Sequence, residues 1–227
     1  MNKFVVIEFL KRISDIEDSL TEQLSQTIIQ KLPSCDEAEA IEFADQINAL
    51  WKHANNLISD NQKLNRATRR VKQIHEAIDE ALVAGQKGLQ EKISCKKGCS
   101  NCCHLNIVVT DDEAEVLAPL YDGTQNEKLK RQAAVTDDLK YPSILGYEDA
   151  ACVFLKDNAC SVYENRPMAC RTYYVVSNPE DCDAIKHPDR LVKQASNFVA
   201  EMIKSVAYKR AGCDRISRQI LKRRADV

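Results

Sequence analysis

Glycine, tryptophan and long apolar runs are scarce in this sequence. Its 227 residues include 6 glycines, 1 tryptophan and 6% aromatic residues, whereas average proteins carry about 7% glycine. Sandwiches, propellers and glycine-rich nucleotide-binding folds depend on glycine in their turns, so the scarcity argues against them and favours helices. No apolar run approaches the roughly 18 residues of a membrane span. Charged residues at 29% together with 44% hydrophobic residues argue against both a disordered tail and a membrane-embedded protein.

Cysteine is abundant and unevenly placed. Eight of the 10 cysteines lie between Cys95 and Cys182, and only Cys35 and Cys213 lie outside. A disulfide framework would staple the whole chain, whereas metal ligands cluster. The apolar N-terminal run is interrupted by Glu8 and is followed by no signal cleavage site. We therefore expect a cytoplasmic protein whose thiols are metal ligands or redox groups.

Three amphipathic segments precede the cysteines. Apolar residues recur at spacings of three and four over 6–28, 40–58 and 64–82, which is helical periodicity. Ser34 and Glu37 form a capping-box pattern that predicts the start of the second helix. The short connections predict antiparallel packing in a helical hairpin or three-helix unit over residues 1–91.

Residues 92–187 are predicted to be a cysteine-rich metal-binding region, and residues 188–227 C-terminal helices that pack on it. Within these regions the sequence predicts one extended run at 107–110 and helices over 113–121, capped by Asp111 and Asp112, and 126–139. A last helix starts near Pro188 and ends at Gly212. The expected fold is therefore mainly α, with long N-terminal helices, a compact metal-organised domain and few short strands.

The first cysteine block is Cys95-Lys-Lys-Gly-Cys99-Ser-Asn-Cys102-Cys103. Its short loops allow successive thiolates to converge on a metal, and Gly98 permits the tight turn, with positive φ, that convergence needs. Adjacent residues point in different directions, so Cys102 and Cys103 suit two nearby centres better than one ion. One of the two could instead be a reactive thiol beside the site.

A second block continues through Cys152, Cys160 and Cys170, with Cys182 beyond it. Together the blocks resemble the zinc- or iron-chelating cysteine-cluster family of the YkgJ type. The resemblance covers about residues 95–175 and depends on C-x3-C-x2-C-C, C-x-F-L and C-x-V-Y-x-x-R-P-x-x-C-R patterns. The matching residues are Cys95, Cys99, Cys102, Cys103, Cys152, Phe154, Leu155, Cys160, Val162, Tyr163, Arg166, Pro167, Cys170 and Arg171. One departure is Ala151, where a glycine-rich approach to Cys152 is expected.

The resemblance implies chelation of zinc or iron, with an iron–sulfur cluster as one form of the iron site. Its seven cysteines are the predicted ligands, and Cys182 is the natural eighth, since eight thiolates suffice for two four-coordinate sites. Arg166 and Arg171 are predicted to offset the thiolate charge. Lys96 and Lys97 could do the same, or be ordinary solvated surface residues. The resemblance implies no settled activity. A related branch resembles flagellin lysine N-methylases, but this sequence contains no separate motif for that chemistry.

Other interpretations remain open. C-x3-C-x2-C is also the radical S-adenosylmethionine fingerprint, but the repeated strand–helix units of those enzymes do not follow it here. The cysteines could be buried or disulfide-paired thiols, although core thiols rarely occur at such regular spacings. His104 could complete a site of three cysteines and one histidine, or donate a hydrogen bond nearby. Cys35 and Cys213 are expected to be spectators.

Partners are predicted less sharply. The basic stretches 63–72 and 209–226 could contact phosphates, but the overall charge is −2 and no aromatic residues interleave with them, so solvated helix faces are favoured over nucleic acid binding. A homodimer or another protein could use the N-terminal helices. The leading function is metal binding without a defined activity. The alternatives are a metal-dependent protein-modifying enzyme and a structural zinc module for protein interaction.

Overall fold

The long helices of the computed structural model come from the segments with helical periodicity. The structure describes residues 9–13, 16, 28, 32, 35–85, 93–96, 98–136, 140–190, 192–195 and 197–224. The expected mainly helical class, with few short strands, is confirmed over these residues. Within the same ranges no helix is both long enough and apolar enough to cross a membrane.

Helix α1 spans Glu37–Asn61 and helix α2 spans Ala67–Gly85. The cap of α1 lies two residues later than the expected Ser34–Glu37 box. Asp36 accepts a hydrogen bond from Glu39 N at 2.9 Å, and the Glu39 carboxylate accepts one from Asp36 N at 2.8 Å. Aspartate caps as well as serine does, so Asp36 and Glu39 form the box that starts the helix. Ser34 itself lies outside the described residues.

Most of the predicted first helix, over 6–28, lies outside the described residues. Residues 9–13 are helical. Phe9, Ile13, Ile16 and Ile28 are buried in the same apolar core as the facing stripes of α1 and α2.

The C-terminal part contains helix α7, Phe198–Ala211, and helix α8, Ile216–Arg223. The predicted start of the last helix near Pro188 is wrong, since α7 begins at Phe198. Asn197 caps it by accepting a hydrogen bond from Ala200 N at 3.0 Å. The preceding segment pairs with another strand-like segment instead: Val176 N donates to Lys193 O at 2.9 Å and Ala195 N to Tyr174 O at 2.8 Å. Gly212, at φ 70°, ends α7 as expected.

Between these parts lie short elements. Strand β1 is Val108–Thr110, within the predicted extended run, and pairs antiparallel with strand β4, Cys213–Arg215. Strands β2, Leu155–Lys156, and β3, Ala159–Cys160, form a hairpin. Its turn residues Asp157 and Asn158 have φ of 47° and 57°, values that aspartate and asparagine tolerate well.

Four helices complete the cysteine-rich part: α3, Asp111–Leu117; α4, Asn126–Ala134; α5, Tyr141–Ala150, kinked at Gly146; and α6, Met168–Thr172. Helix α3 starts two residues earlier than predicted because Thr110, rather than Asp111 or Asp112, is its cap. A 3-10 turn, Ala118–Leu120, replaces its predicted end. Helix α4 ends at Ala134 because Val135 is extended, so the predicted helix over 126–139 is too long. Residues 137–139 lie outside the described residues.

Two larger apolar cores organise these elements, beside a small cluster of Val135, Tyr141 and Ala150. We call the one among α1, α2 and α7 the helical core, and the one among α3, α4, α8 and the β2–β3 hairpin the cysteine-side core. Helix α7 packs mainly on α1 and α2, while α8 packs on α3 and α4. The apolar stripes of α1 and α2 are thus covered within the chain. The boundaries at 91 and 187 stay a prediction.

Candidate metal centre

Seven of the predicted ligands share one cavity of about 150 Å³. Four segments supply them: the first block in a loop and 3-10 helix, the turn after α5 with Cys152, strand β3 with Cys160, and helix α6 with Cys170. The thiols that line it are Cys95, Cys99, Cys102, Cys103, Cys152, Cys160 and Cys170. Apolar and aromatic side chains, among them Phe154, Val162 and Tyr173, form much of the remaining wall. The fold therefore brings segments separated by up to 75 positions to one site.

Backbone hydrogen bonds hold these segments together. Cys152 N donates to Cys103 O at 2.8 Å, and Ser94 N donates to Val175 O at 2.9 Å. Gly98 has φ 90°, as the tight turn between Cys95 and Cys99 requires. Ala151 has φ −59°, so no glycine is needed there. Its carbonyl accepts a hydrogen bond from Gln132 Nε2 at 2.8 Å, which fixes the approach to Cys152.

Several thiols accept backbone hydrogen bonds. Val175 N donates to Cys95 Sγ at 3.3 Å. Backbone groups of Phe154 and Val162 likewise form hydrogen bonds with the thiols of Cys152 and Cys160, respectively. A donor aimed at sulfur stabilises the thiolate, which is the form that binds metals.

Cys102 and Cys103 act as a pair. The Cys103 thiol donates a hydrogen bond to Cys102 Sγ, which lowers the pKa of Cys102 to about 7 against the opposing effect of burial. The nearby Arg166 cation contributes in the same direction. The same hydrogen bond, with burial, raises the pKa of Cys103. Cys102 is therefore readily deprotonated. Although the two residues are adjacent, both line the cavity.

Cys152 and Cys170 of the cavity favour the neutral form. Burial raises the pKa of Cys152 to about 11, and burial together with neighbouring thiols raises the pKa of Cys170 well above its ordinary value. A thiol with such a pKa becomes a thiolate at neutral pH only when a cation compensates its charge.

Cys182 lies apart from the cavity wall. It is buried at the end of a 3-10 helix, Pro179–Cys182, which packs on the 3-10 helix Asn101–His104. Asn101 Nδ2 donates to Pro179 O at 2.8 Å across that contact. Burial raises the pKa of Cys182 to about 12, and the charges of Cys102, Cys95 and Cys99 add to the shift. Cys182 is thus a neighbour of the first block.

The remaining candidates do not line the cavity. His104 is buried, with Nδ1 at 3.3 Å from Asn101 O and its ring stacked on Tyr147 at a centroid distance of 4.1 Å. Cys35 packs against the helical core. Cys213 is exposed on β4.

The two predicted arginines differ in position. Arg166 lines the cavity, with Cζ at 4.1 Å from the Tyr163 ring centroid and a buried Nε that has no hydrogen-bond partner among the described residues. Arg171 binds Asp79 of α2 at 2.6 Å and the carbonyl of Arg166 at 2.9 Å. Lys96 is at the cavity, and Lys97 lies outside the described residues. The role of Arg171 as a charge partner of the thiolates stays a prediction.

Sequence reasoning missed a further cation, Lys128 on α4. Its Nζ donates to Gln125 Oε1 at 2.9 Å. Burial lowers the pKa of Lys128, while the charge of Cys152 acts in the opposite direction, so the two groups are close enough to interact. No local motif marks this lysine, because 24 positions separate it from the cysteine it serves.

Charged partners also account for much of the two basic stretches. Arg70 pairs with Asp112 at 2.5 Å and Lys63 with Asp60 at 2.7 Å. Near the C-terminus, Arg223 pairs with Asp111 at 3.1 Å. These contacts favour the interpretation of both stretches as helix faces that pair with carboxylates.

All ten cysteines are free thiols. As the side chains stand, no group of three or more His, Cys, Asp or Glu residues in the described ranges could hold one metal ion. The donor set nevertheless suits soft, thiophilic ions such as zinc or iron. These thiols come from separate segments and surround one shared cavity.

The fold and the site together define a mainly helical protein with a thiol-lined cavity. Residues 94–197 match the CxxCxxCC family, described as a putative zinc- or iron-chelating domain. Residues 94–197 are thus similar to this family, and the expected resemblance is confirmed over that range. No curated protein and no solved structure matches the chain.

Proposed function

We propose that this protein binds zinc or iron through the thiolates of its cysteine-lined cavity. The observation that carries the proposal is the convergence of seven free thiols, from four separate segments, on one cavity. Backbone donors to sulfur and the Arg166 cation support thiolates there. Core thiols that served only as small apolar residues would need neither.

We further propose that the ligands form two groups of four. The first is Cys95, Cys99, Cys102 and Cys182, because Cys182 has the first three as its electrostatic neighbours. The second is Cys103, Cys152, Cys160 and Cys170, where Cys103 is influenced by Cys152 and Cys170, and Cys170 by Cys152, Cys160 and also Cys102 of the first group. The hydrogen bond from Cys103 to Cys102 joins the groups. Four thiolates are the usual complement of a structural zinc ion or an iron–sulfur cluster.

Bound zinc with four thiolates would cross-link the segments, while iron would add electron transfer. A closed site of four thiolates leaves no open position for a substrate, so the proposed ligand sets favour the structural zinc module over an enzyme. The alternative, a protein-modifying enzyme resembling lysine N-methylases, predicts binding of S-adenosylmethionine to the metal-loaded protein. Calorimetric titration tests it, and no heat of binding would remove it.

Elemental analysis of aerobically and anaerobically purified protein tests the proposal. We expect about two metal ions per chain if both groups hold zinc. Substoichiometric metal in both preparations would refute chelation. The visible spectrum distinguishes the metals, since iron–sulfur clusters absorb and zinc is colourless. Cys182→Ser and Cys170→Ser should each remove the metal of one group, whereas Cys213→Ser should remove none.

A further inference from the structure

Helix α6 carries Cys170 but is too short to be stable without contacts from other elements. It has five residues, Met168–Thr172, and follows Pro167. A single helical turn in isolation is unfavourable, because its few internal hydrogen bonds do not offset the lost conformational entropy. The position of Cys170 therefore depends on contacts from other elements.

Three charged side chains from three other helices bind α6. Glu113 of α3 accepts a hydrogen bond from Met168 N at 2.7 Å. Asp79 of α2 pairs with Arg171 at 2.6 Å, and Lys204 of α7 donates to Thr172 Oγ1 at 2.9 Å. These contacts lie on both sides of Cys170, one or two residues from it. The Met168 side chain is itself buried in the helical core.

Glu113 is the most constrained of the three. Only 2% of it is exposed. Its Oε1 accepts from Met168 N and lies 3.1 Å from His75 Nε2, while its Oε2 accepts from Thr110 N at 3.0 Å and Thr110 Oγ1 at 3.3 Å. A buried carboxylate is costly unless it is hydrogen-bonded, and here both oxygens are used.

His75 links this carboxylate to α2. His75 and Asp79 are four residues apart, so both lie on the same face of that helix. Through His75 and Glu113 the helix reaches the start of α6, and through Asp79 it reaches Arg171 directly. Helix α2 therefore contacts α6 on both sides of Cys170, through Glu113 before it and directly after it.

We propose that Glu113, with His75 behind it, is a positioning residue for the Cys170 thiol, so that helix α2 contributes to the metal affinity of the cavity. This rests on the proposed function of the cavity. Glu113 does not ligate the metal in this proposal. It fixes the backbone of Met168, and thereby the direction in which Cys170 enters the cavity.

The test is metal affinity, measured by chelator competition, for Glu113→Gln. Both carboxylate oxygens accept from N–H groups, so an amide nitrogen would face a donor in either orientation. We expect the affinity to fall by about tenfold or more, as when an outer hydrogen-bond partner of a metal site is lost. The charge-transfer band of the cobalt-loaded protein should shift as well, because the geometry at Cys170 changes.

Asp112→Asn is the matched control. Asp112 is the neighbouring residue on α3 and also joins α2, since Arg70 Nε donates to it at 2.7 Å. Among the described residues its hydrogen bonds reach only Arg70. We expect lower stability but unchanged metal affinity and an unchanged cobalt spectrum. Equal losses of affinity in both variants would overturn the proposal, since general docking of α2 on α3 would then explain them.

A histidine pair keeps the proposal testable if Glu113→Gln does not fold. His75→Gln retains an N–H donor to Glu113, whereas His75→Leu removes it. We expect weakened metal binding in His75→Leu and recovery in His75→Gln. Wild-type affinity in both would overturn the positioning role. Failure of the wild-type protein to bind metal would instead refute chelation itself, so the two failures are distinguishable.

Discussion

The helical core and the cysteine-side core differ in the side chains that form them. The helical core contains aliphatic side chains such as Ile47 and Ile78, both with 0% exposure, so close hydrocarbon contact stabilises it. The cysteine-side core has Cys152 and Cys160 packed against it and a cavity beside them. Where thiols and a cavity replace hydrocarbon, the missing contacts must come from backbone hydrogen bonds and, by our proposal, from the metal.

The link between the two regions is polar. Glu113, Lys204 and Arg171 are each at least nine-tenths buried and join α6 to α3, α7 and α2. A buried charge loses its hydration on folding, so these groups specify one geometry more than they add stability. These buried contacts tie the position of α6 to the helices of the helical core.

Metal removal should have the largest effect and should separate the two regions. Ligand binding contributes folding energy where the site does not form without it. We expect that removing the metal with an added chelator abolishes the protection of amides from hydrogen exchange across 98–182. The amides of α1, α2 and α7 should stay protected. Simultaneous loss of protection in both regions would show that they are one cooperative unit.

Truncation of a helical-core residue should give the reverse effect. Ile47→Ala should lower the free energy of unfolding by about 2–5 kcal/mol, because it removes buried contacts and leaves a cavity. Denaturant unfolding measures this loss. Metal content per folded chain should not change. The comparison variant is Leu129→Ala, which truncates a residue of 0% exposure in the cysteine-side core and should also weaken metal binding. Loss of metal from Ile47→Ala would contradict the idea that the helical core and the cysteine-side core are stabilised separately.

Neutralising Lys128 should weaken metal binding moderately. Lys128→Gln removes a half-buried cation close enough to Cys152 to interact with it, so we expect an affinity loss toward the lower end of the 10–100-fold range, about tenfold. Chelator competition checks it. Lys130→Gln on the same helix is the control, since Lys130 is exposed and pairs with Glu127. If both variants behave alike, Lys128 plays no specific part.

The smallest effect is expected at the tight turn of the first block. Gly98 has φ 90° and no neighbouring atom within 4 Å of an added Cβ, so Gly98→Ala should cost only backbone strain, about 1 kcal/mol. Gly123→Ala, at φ 78° in a loop, is the matched variant. Unfolding measurements should show similar costs, and only Gly98→Ala should also reduce metal affinity. Unchanged affinity would mean that the turn is not part of the site.

Much of the fold was predictable where the signal is local. The stripes of α1 and α2, the extended run before α3 and the stop at Gly212 all follow from residues a few positions apart. The start of α7 was not, because the pairing of Val175 with Gln194 removes the preceding segment from the helix. Such pairing joins residues that share no local pattern. Likewise, Thr110 outcompeted the two aspartates that follow it as a cap.

The site shows the same limit. Cysteine spacing and the resemblance predicted the seven residues that line the cavity, but not that Cys182 would lie behind the first block. Nothing near Glu113, His75 or Lys128 in the sequence associates them with the thiols. Their relation to the cavity exists only because α2, α3 and α4 pack around α6 and the β2–β3 hairpin.

The sequence by itself determined the helical class and the identity of the thiol cluster, because helical periodicity and short cysteine spacings are local properties of a chain. Tertiary structure alone decided which thiols share a wall, which cations face them and how Cys170 is held. Those relations depend on hydrogen bonds and ion pairs between residues far apart in the chain, and their partners are set only when the helices pack.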